Sequence, residues 1–245
     1  MKQEKVNFKN SRGLNLVGIL NTVDKKTRPI IIMSHGFTAN KDRKRFIETS
    51  EEFSNKGFAV LRYDFGGSKE SDDTPVTVEN YVDDLKSAIK YVKEKGYTNI
   101  GLLGESLGGL ASVKAYDEKI KSLVLWSSVT TSKIPTLYKE NKKELEEKGF
   151  IMYEKDNKKF KIPQQYFDER MSVNQEKILS KIKCPVLIIY GDKDSTIPLE
   201  DYKNALKYLP QESKLEIIKG ASHNLEEKID KVIELSLNWL KKYLK

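Results

Sequence analysis

Short apolar runs recur along the chain, separated by longer stretches in which apolar residues return every three or four positions. This alternation of strand-like and helix-like patterning predicts an α/β fold. Strands are expected at 5–8, 16–20, 30–34, 59–63, 100–104, 122–127, 186–190 and 214–218. The first two flank Asn10-Ser11-Arg12-Gly13, a turn sequence, so the chain should open with a hairpin. Ile30-Ile31-Ile32-Met33 and Val186-Leu187-Ile188-Ile189 are apolar without alternation, as strands of a parallel sheet covered on both faces should be.

Four helices are well marked between these strands. One runs from Asp42 to Lys56 behind a polar cap and stops at Gly57, which suits a C′ position. In the next, Val78, Val82, Leu85, Ile89 and Val92 share one face, and Gly96 follows its end. A third spans Leu107 to Tyr116. The last carries Ile229, Ile233, Leu237, Leu240 and Leu244 on one side and ends in lysines, which suits the helix dipole.

Between residues 130 and 182 the rhythm breaks. Residues 136–149 are charged and helical in pattern, and 150–163 reads as a hairpin around Asp156-Asn157-Lys158-Lys159. We read this stretch as a small cap inserted into one α/β domain spanning residues 1–245. An insertion of this size is more often a lid or binding segment than a surface excursion.

Composition narrows the classes. The first ten residues lack the apolar core of a signal peptide, and no apolar run reaches the length of a membrane span. One cysteine among 245 residues leaves no internal disulfide and fits a reducing compartment, so a cytoplasmic location is expected. The net charge of +8 raises nucleic acid as a partner. Yet the basic clusters Lys41–Arg45, Lys142–Lys148 and Lys155–Lys161 mostly alternate with acids and lack interleaved aromatics. They read as solvated surface, and no nucleic-acid partner is expected.

The candidate chemistry starts at Gly104-Glu105-Ser106-Leu107-Gly108. An expected strand feeds into this segment and an expected helix leads out. That is the context a nucleophile elbow requires, with small residues at 104 and 108 where the tight turn leaves no room. A serine hydroxyl needs a base, and the chain has only two histidines. His223 lies in a loop after the last expected strand, where an imidazole could reach the elbow, while His35 ends an early strand. We prefer His223 as base and His35 as a structural residue holding its loop. The orienting acid should follow the strand at 186–190, where Asp192 and Asp194 are both available; Asp194 is preferred and Asp192 is left as a turn residue. The order Ser106, Asp194, His223 is that of α/β-hydrolase triads. For the oxyanion, the expected donors are the amides of Leu107, beside the nucleophile, and Phe37, in the early loop His35-Gly36-Phe37. Cys184, Trp126 and Trp239 read as packing residues. Tyr138, Tyr153, Tyr166 and Phe167 either line an acyl pocket or give the cap its own core.

Taken together, H-G-F, G-E-S-L-G, G-D-x-D-x-x-I-P and G-A-S-H resemble the α/β-hydrolase superfamily across nearly the whole chain. Ser34 to Lys41 and the compact cap look most like the bacterial feruloyl (cinnamoyl) esterases and small carboxylesterases. The resemblance implies a mostly parallel central sheet flanked by helices, with a cap that shapes the pocket. It also implies a cofactor-free serine esterase with Ser106, Asp194 and His223 as nucleophile, acid and base, and Phe37 and Leu107 as oxyanion donors. Relatives often show D-x-x-G-x-G-x-S after the fourth strand; here Lys69 takes the place of one glycine. The expected substrate is a small ester, hydroxycinnamoyl or other, and a homodimer is left open. The alternatives are a monoacylglycerol lipase, a thioesterase or peptidase with the same triad, or a non-catalytic binding relative.

Overall fold

A computed structural model describes residues 2–22 and 29–244. Eight strands form one sheet: β1 (Lys2–Lys9), β2 (Asn15–Thr22), β3 (Ile30–Ser34), β4 (Ala59–Tyr63), β5 (Ile100–Glu105), β6 (Ile120–Trp126), β9 (Val186–Gly191) and β10 (Lys214–Ile218). Their order across the sheet is β1-β2-β4-β3-β5-β6-β9-β10. The opening hairpin β1–β2 and the β2–β4 pair are antiparallel. Every later pairing is parallel. This is the expected mostly parallel α/β sheet.

Period-two geometry explains why the central strands are apolar throughout. In β3, Ile30 and Ile32 enter one core layer while Ile31 and Met33 enter the other. The first layer is closed by α2 (Val78–Glu94) and α3 (Leu107–Lys114); the second lies beneath α1 (Lys44–Asn55) and α9 (Ile229–Tyr243). Both tryptophans pack as expected and also pin α9 to β6. Trp126 Nε1 donates to Ser236 Oγ and Trp239 Nε1 to Ser122 Oγ, each at 2.9 Å.

Two helix boundaries differ from the sequence reading. α1 begins at Lys44 behind Arg43, which makes no side-chain capping bond. α3 ends at Lys114, with Ala115 as its cap. The expected stop at Gly57 is seen, with φ of +94°.

The reading of Lys41–Arg45 as solvated surface is overturned at Lys41 and Arg45, though Lys44 is exposed. Lys41 is completely buried, and its ammonium bonds Asp64 Oδ2 at 2.8 Å, Asp42 Oδ2 at 3.1 Å and Glu70 Oε2 at 2.5 Å. Burial opposes that charge, but the three carboxylates outweigh it and raise the lysine's pKa. Arg45 is buried as well. Alternation of lysines with acids hid a three-dimensional pairing, because the partners Asp64, Glu70 and Glu105 arrive from elsewhere in sequence. Lys69, at the position of the missing glycine, keeps the left-handed conformation with φ of +30°.

Between β6 and β9 lie α4 (Thr136–Glu140), α5 (Lys142–Lys148), the antiparallel hairpin β7–β8 (Phe150–Lys155 and Lys158–Pro163), α6 (Gln164–Met171) and α7 (Gln175–Leu179). The expected helix over 136–149 is two helices, broken at Asn141. The hairpin turns at Asp156 and Asn157, both with positive φ. Contacts from the hairpin and from α6 help to tie the insertion down. Val76 N donates to the Lys161 carbonyl at 2.9 Å, Glu169 accepts the Val78 amide at 2.5 Å, and Arg43 pairs with Asp156 at 2.7 Å. The short helix α8 (Leu199–Leu206) carried too brief a pattern to be read from sequence.

Candidate active site

After β3 the chain goes to β4 on one side of the sheet and then to β5 on the other. The loops leaving the C-terminal ends of β3 and β5 therefore diverge, and such a switch point opens a crevice. Ser106 follows β5 and Phe37 follows β3. Asp194 follows β9 and His223 follows β10, so all four come to one edge of the sheet.

The turn at Ser106 is strained, with φ of 50° and ψ of −114°. A non-glycine residue there costs on the order of 1–3 kcal/mol, which the surroundings must offset. They do so with hydrogen bonds: Ser106 N donates to the Trp126 carbonyl at 2.8 Å, and the Ser106 carbonyl accepts from Gly109, Leu110 and Val129. Gly108 is required by contact. A Cβ there would stand 2.3 Å from the Ser34 carbonyl oxygen and 2.4 Å from that of His35.

Ser106 Oγ lies 3.0 Å from His223 Nε2, and His223 Nδ1 lies 2.7 Å from Asp194 Oδ2. An ionised carboxylate can only accept, so Nδ1 carries the proton and Nε2 accepts from the serine hydroxyl. The other oxygen, Asp194 Oδ1, takes the amides of Thr196 at 2.7 Å and Ile197 at 3.1 Å. Burial pushes this carboxyl up, but His223 and the two amides outweigh it and hold its pKa below the usual carboxylate value. Asp192 serves the loop instead. Its Oδ1 accepts the Gly220 amide at 2.6 Å and braces the segment that carries His223.

His35 is wholly buried, with Nδ1 bonded to the Gly36 carbonyl at 2.9 Å and Nε2 accepting from Phe65 N at 3.1 Å. Burial pulls its pKa down to about 4, so the ring is neutral near pH 7 and ties two loops together. Gly36 sits against the serine; a Cβ there would lie 3.3 Å from Ser106 Cβ. Among the described residues, neither the Phe37 nor the Leu107 amide has a hydrogen-bond acceptor. Leu107 opens α3, and as the first residue of the helix its N–H has no partner within it.

Two cavities meet at Ser106. One, of about 390 Å³, runs under the cap between Phe37, Leu107, Leu137, Tyr166 and Ile197. The other, of about 340 Å³, lies on the His223 side and is polar, with Arg43, Arg45, Glu105 and Lys155 in its walls. The cap aromatics divide the roles left open for them. Tyr166 lines the first cavity and stacks on Phe37 with ring centroids 5.1 Å apart, whereas Phe167 is fully buried against Tyr138. Cys184 is buried, and burial pushes its thiol up to about 12. Sequence reasoning missed the Arg45–Glu105 pair beside the serine and Arg170 in the first cavity: Glu105 sits in the elbow motif but its partner is 60 residues away, and Arg170 lies in no motif.

An alcohol hydrogen-bonded to an imidazole, itself held by a carboxylate, can be deprotonated as it attacks a carbonyl. The chain's similarities run the same way. Residues 25–178 match the family described as Hydrolase_4: serine aminopeptidase, S33. Palmitoyl-protein thioesterase ABHD10, mitochondrial, of Rattus norvegicus is 28% identical over 71% of this chain and 61% of its own length. Esterase EstD of Thermotoga maritima is 25% identical over 78% of this chain and 52% of its own length. This chain thus spans between half and two thirds of those two relatives. Among solved structures, Est1E from Butyrivibrio proteoclasticus with bound ferulic acid superposes with a TM-score of 0.83 at 23% identity. That likeness covers 97% of this chain and 98% of the other, and it shows a common fold.

Proposed function

The chain belongs to the Hydrolase_4 (serine aminopeptidase, S33) family of α/β hydrolases, and from that premise we propose that it is a carboxylic-ester hydrolase working through an acyl-enzyme on Ser106. The observation that carries this reading is the continuous line from Ser106 Oγ through His223 to Asp194 at the mouth of a cavity.

In the proposed reaction, Ser106 Oγ attacks the ester carbonyl while His223 Nε2 takes its proton. Asp194 keeps the Nδ1 proton in place and stabilises the imidazolium. The free amides of Phe37 and Leu107 receive the developing oxyanion, where preorganised donors contribute most to the rate. His223 then protonates the leaving alcohol, and a water deprotonated by His223 releases the acid. No cofactor is needed for these steps.

The same machinery could cleave a thioester or an amide, and both relatives' names and the family description bear on this. Aminopeptidase action is disfavoured by charge. A free substrate amine calls for an acidic partner, yet among the described residues no Asp or Glu lines the cavity under the cap. In the second cavity, Glu105 and Glu226 both pair with Arg45. A substrate panel tests the reading: short and medium p-nitrophenyl esters, methyl ferulate, an acyl thioester and an aminoacyl p-nitroanilide. We expect ester turnover above anilide turnover, fluorophosphonate labelling at Ser106, and a fall of several orders of magnitude in Ser106→Ala. Full ester turnover by Ser106→Ala, or no labelling, would refute it.

A further inference from the structure

The cavity under the cap is mostly apolar, but its polar side chains are unbalanced. Lys133 and Arg170 line it and, among the described residues, no carboxylate does. Lys133 is at the exposed edge and bonds the Thr196 carbonyl. Arg170 is a different case, with only 5% of its surface left exposed.

A guanidinium taken out of water is costly unless it is paired. Among the described residues, Arg170 has no carboxylate partner, and its Nη1 has no hydrogen-bond partner at all. The Tyr166 phenol hydrogen-bonds the guanidinium and feels its charge, yet burial still pushes that phenol up to about 12 and leaves it neutral near pH 7. Burial in turn pulls the Arg170 pKa down. Its neighbour Glu169 is engaged elsewhere, accepting the Val78 and Glu79 amides and a Gln165 side chain.

The position is informative. Tyr166 stacks on Phe37, next to the serine, and Arg170 is four residues further along α6 on the same face. Four residues of α-helix advance about 6 Å. A chain leaving the Ser106 carbonyl along this wall passes an aromatic surface and then meets a cation without an anion.

We propose that the cavity under the cap selects acyl groups ending in a carboxylate, which Arg170 binds. The preferred substrates are half-esters of medium-length dicarboxylic acids. This rests on the esterase reading and names the acyl class of the same site. Desolvation of Arg170 is then compensated only in the complex, which makes the site discriminate against neutral acyl chains.

The test compares p-nitrophenyl monoadipate with p-nitrophenyl methyl adipate, which differ in charge at the far end. Wild-type kcat/KM should favour the anionic ester by about 10- to 100-fold, the range a charge-assisted hydrogen bond contributes. Arg170→Met keeps side-chain bulk without charge and should bring the ratio to about one. Lys133→Ala should lower the ratio less than Arg170→Met does. Calorimetric titration of Ser106→Ala protein with monomethyl and dimethyl adipate reads the same preference without turnover, and monomethyl adipate should bind more tightly. A wild-type ratio near one, a ratio unmoved by Arg170→Met, or equal affinities in Ser106→Ala overturns the proposal. Selective binding of monomethyl adipate without turnover of either ester would instead sink the esterase reading and leave the anion site standing.

Discussion

Arg45 Nη2 lies 2.5 Å from Glu105 Oε1, and both side chains are almost closed to solvent. Glu105 immediately precedes Ser106, so this pair holds the strand end from which the strained turn departs. Breaking a buried pair from one side leaves an uncompensated charge and costs roughly 3–5 kcal/mol, whereas replacing both partners costs much less. Arg45→Met should therefore lower the urea midpoint sharply, and Arg45→Met with Glu105→Leu should recover much of it. A double variant as unstable as the single one would argue against this account.

Asp194→Asn preserves the shape of the acid but lets the amide donate to His223 Nδ1, which favours the wrong tautomer. Turnover on a p-nitrophenyl ester should fall by about 10⁴-fold. The fluorophosphonate reaction at Ser106 should slow in parallel, since it needs the same deprotonation. Labelling at the wild-type rate would detach Asp194 from the site.

Gly108→Ala places a methyl group 2.3 Å from the Ser34 carbonyl oxygen, a backbone atom that cannot rotate away. Either β3 or the start of α3 must shift, and the Phe37 loop follows β3 directly. We expect kcat to fall at least about 10²-fold, the cost of a misplaced reacting group, together with a lower melting temperature. Gly13→Ala is the control for turnover only: at φ of +81° an alanine is strained and lowers stability, but its Cβ meets nothing within 4 Å and lies away from the site. It should leave turnover unchanged.

His35 couples stability to pH. Its folded-state pKa of about 4 lies below the unfolded value near 6.5, so the unfolded chain binds the extra proton first. Stability from this site is complete above pH 6.5 and is lost as pH falls toward 4, by about 3 kcal/mol in all. Urea midpoints measured between pH 7 and pH 5 should fall for the wild type and change less for His35→Asn. Equal slopes would contradict the assignment.

Lys69 occupies a left-handed position at φ of +30°. Its ion pair with Asp42 is half exposed, and Asp42 also bonds Arg62 and Lys41. Lys69→Gly relieves the backbone at little electrostatic cost and should raise stability by about 0.5–1 kcal/mol. A loss of stability in thermal unfolding would show that the Asp42 contact outweighs the strain.

Most of the sheet was legible in the sequence, because its central strands are buried on both faces and read as unbroken apolar runs. The Ser106 elbow was legible for a related reason: a turn with no room for side chains demands glycine at 104 and 108, and contact geometry leaves its mark on composition. His223 and Asp194 followed from their places after strands, since the C-terminal edge of a parallel sheet is where loops converge. Tertiary structure decided what depends on partners distant in sequence. Whether a lysine is solvated or buried is set by which carboxylates the fold brings to it; apart from Asp42, the partners of Lys41 and Arg45 come from 23 to 181 residues away. The same holds for Arg170, which the fold buries beside the Tyr166 phenol with no carboxylate partner among the described residues.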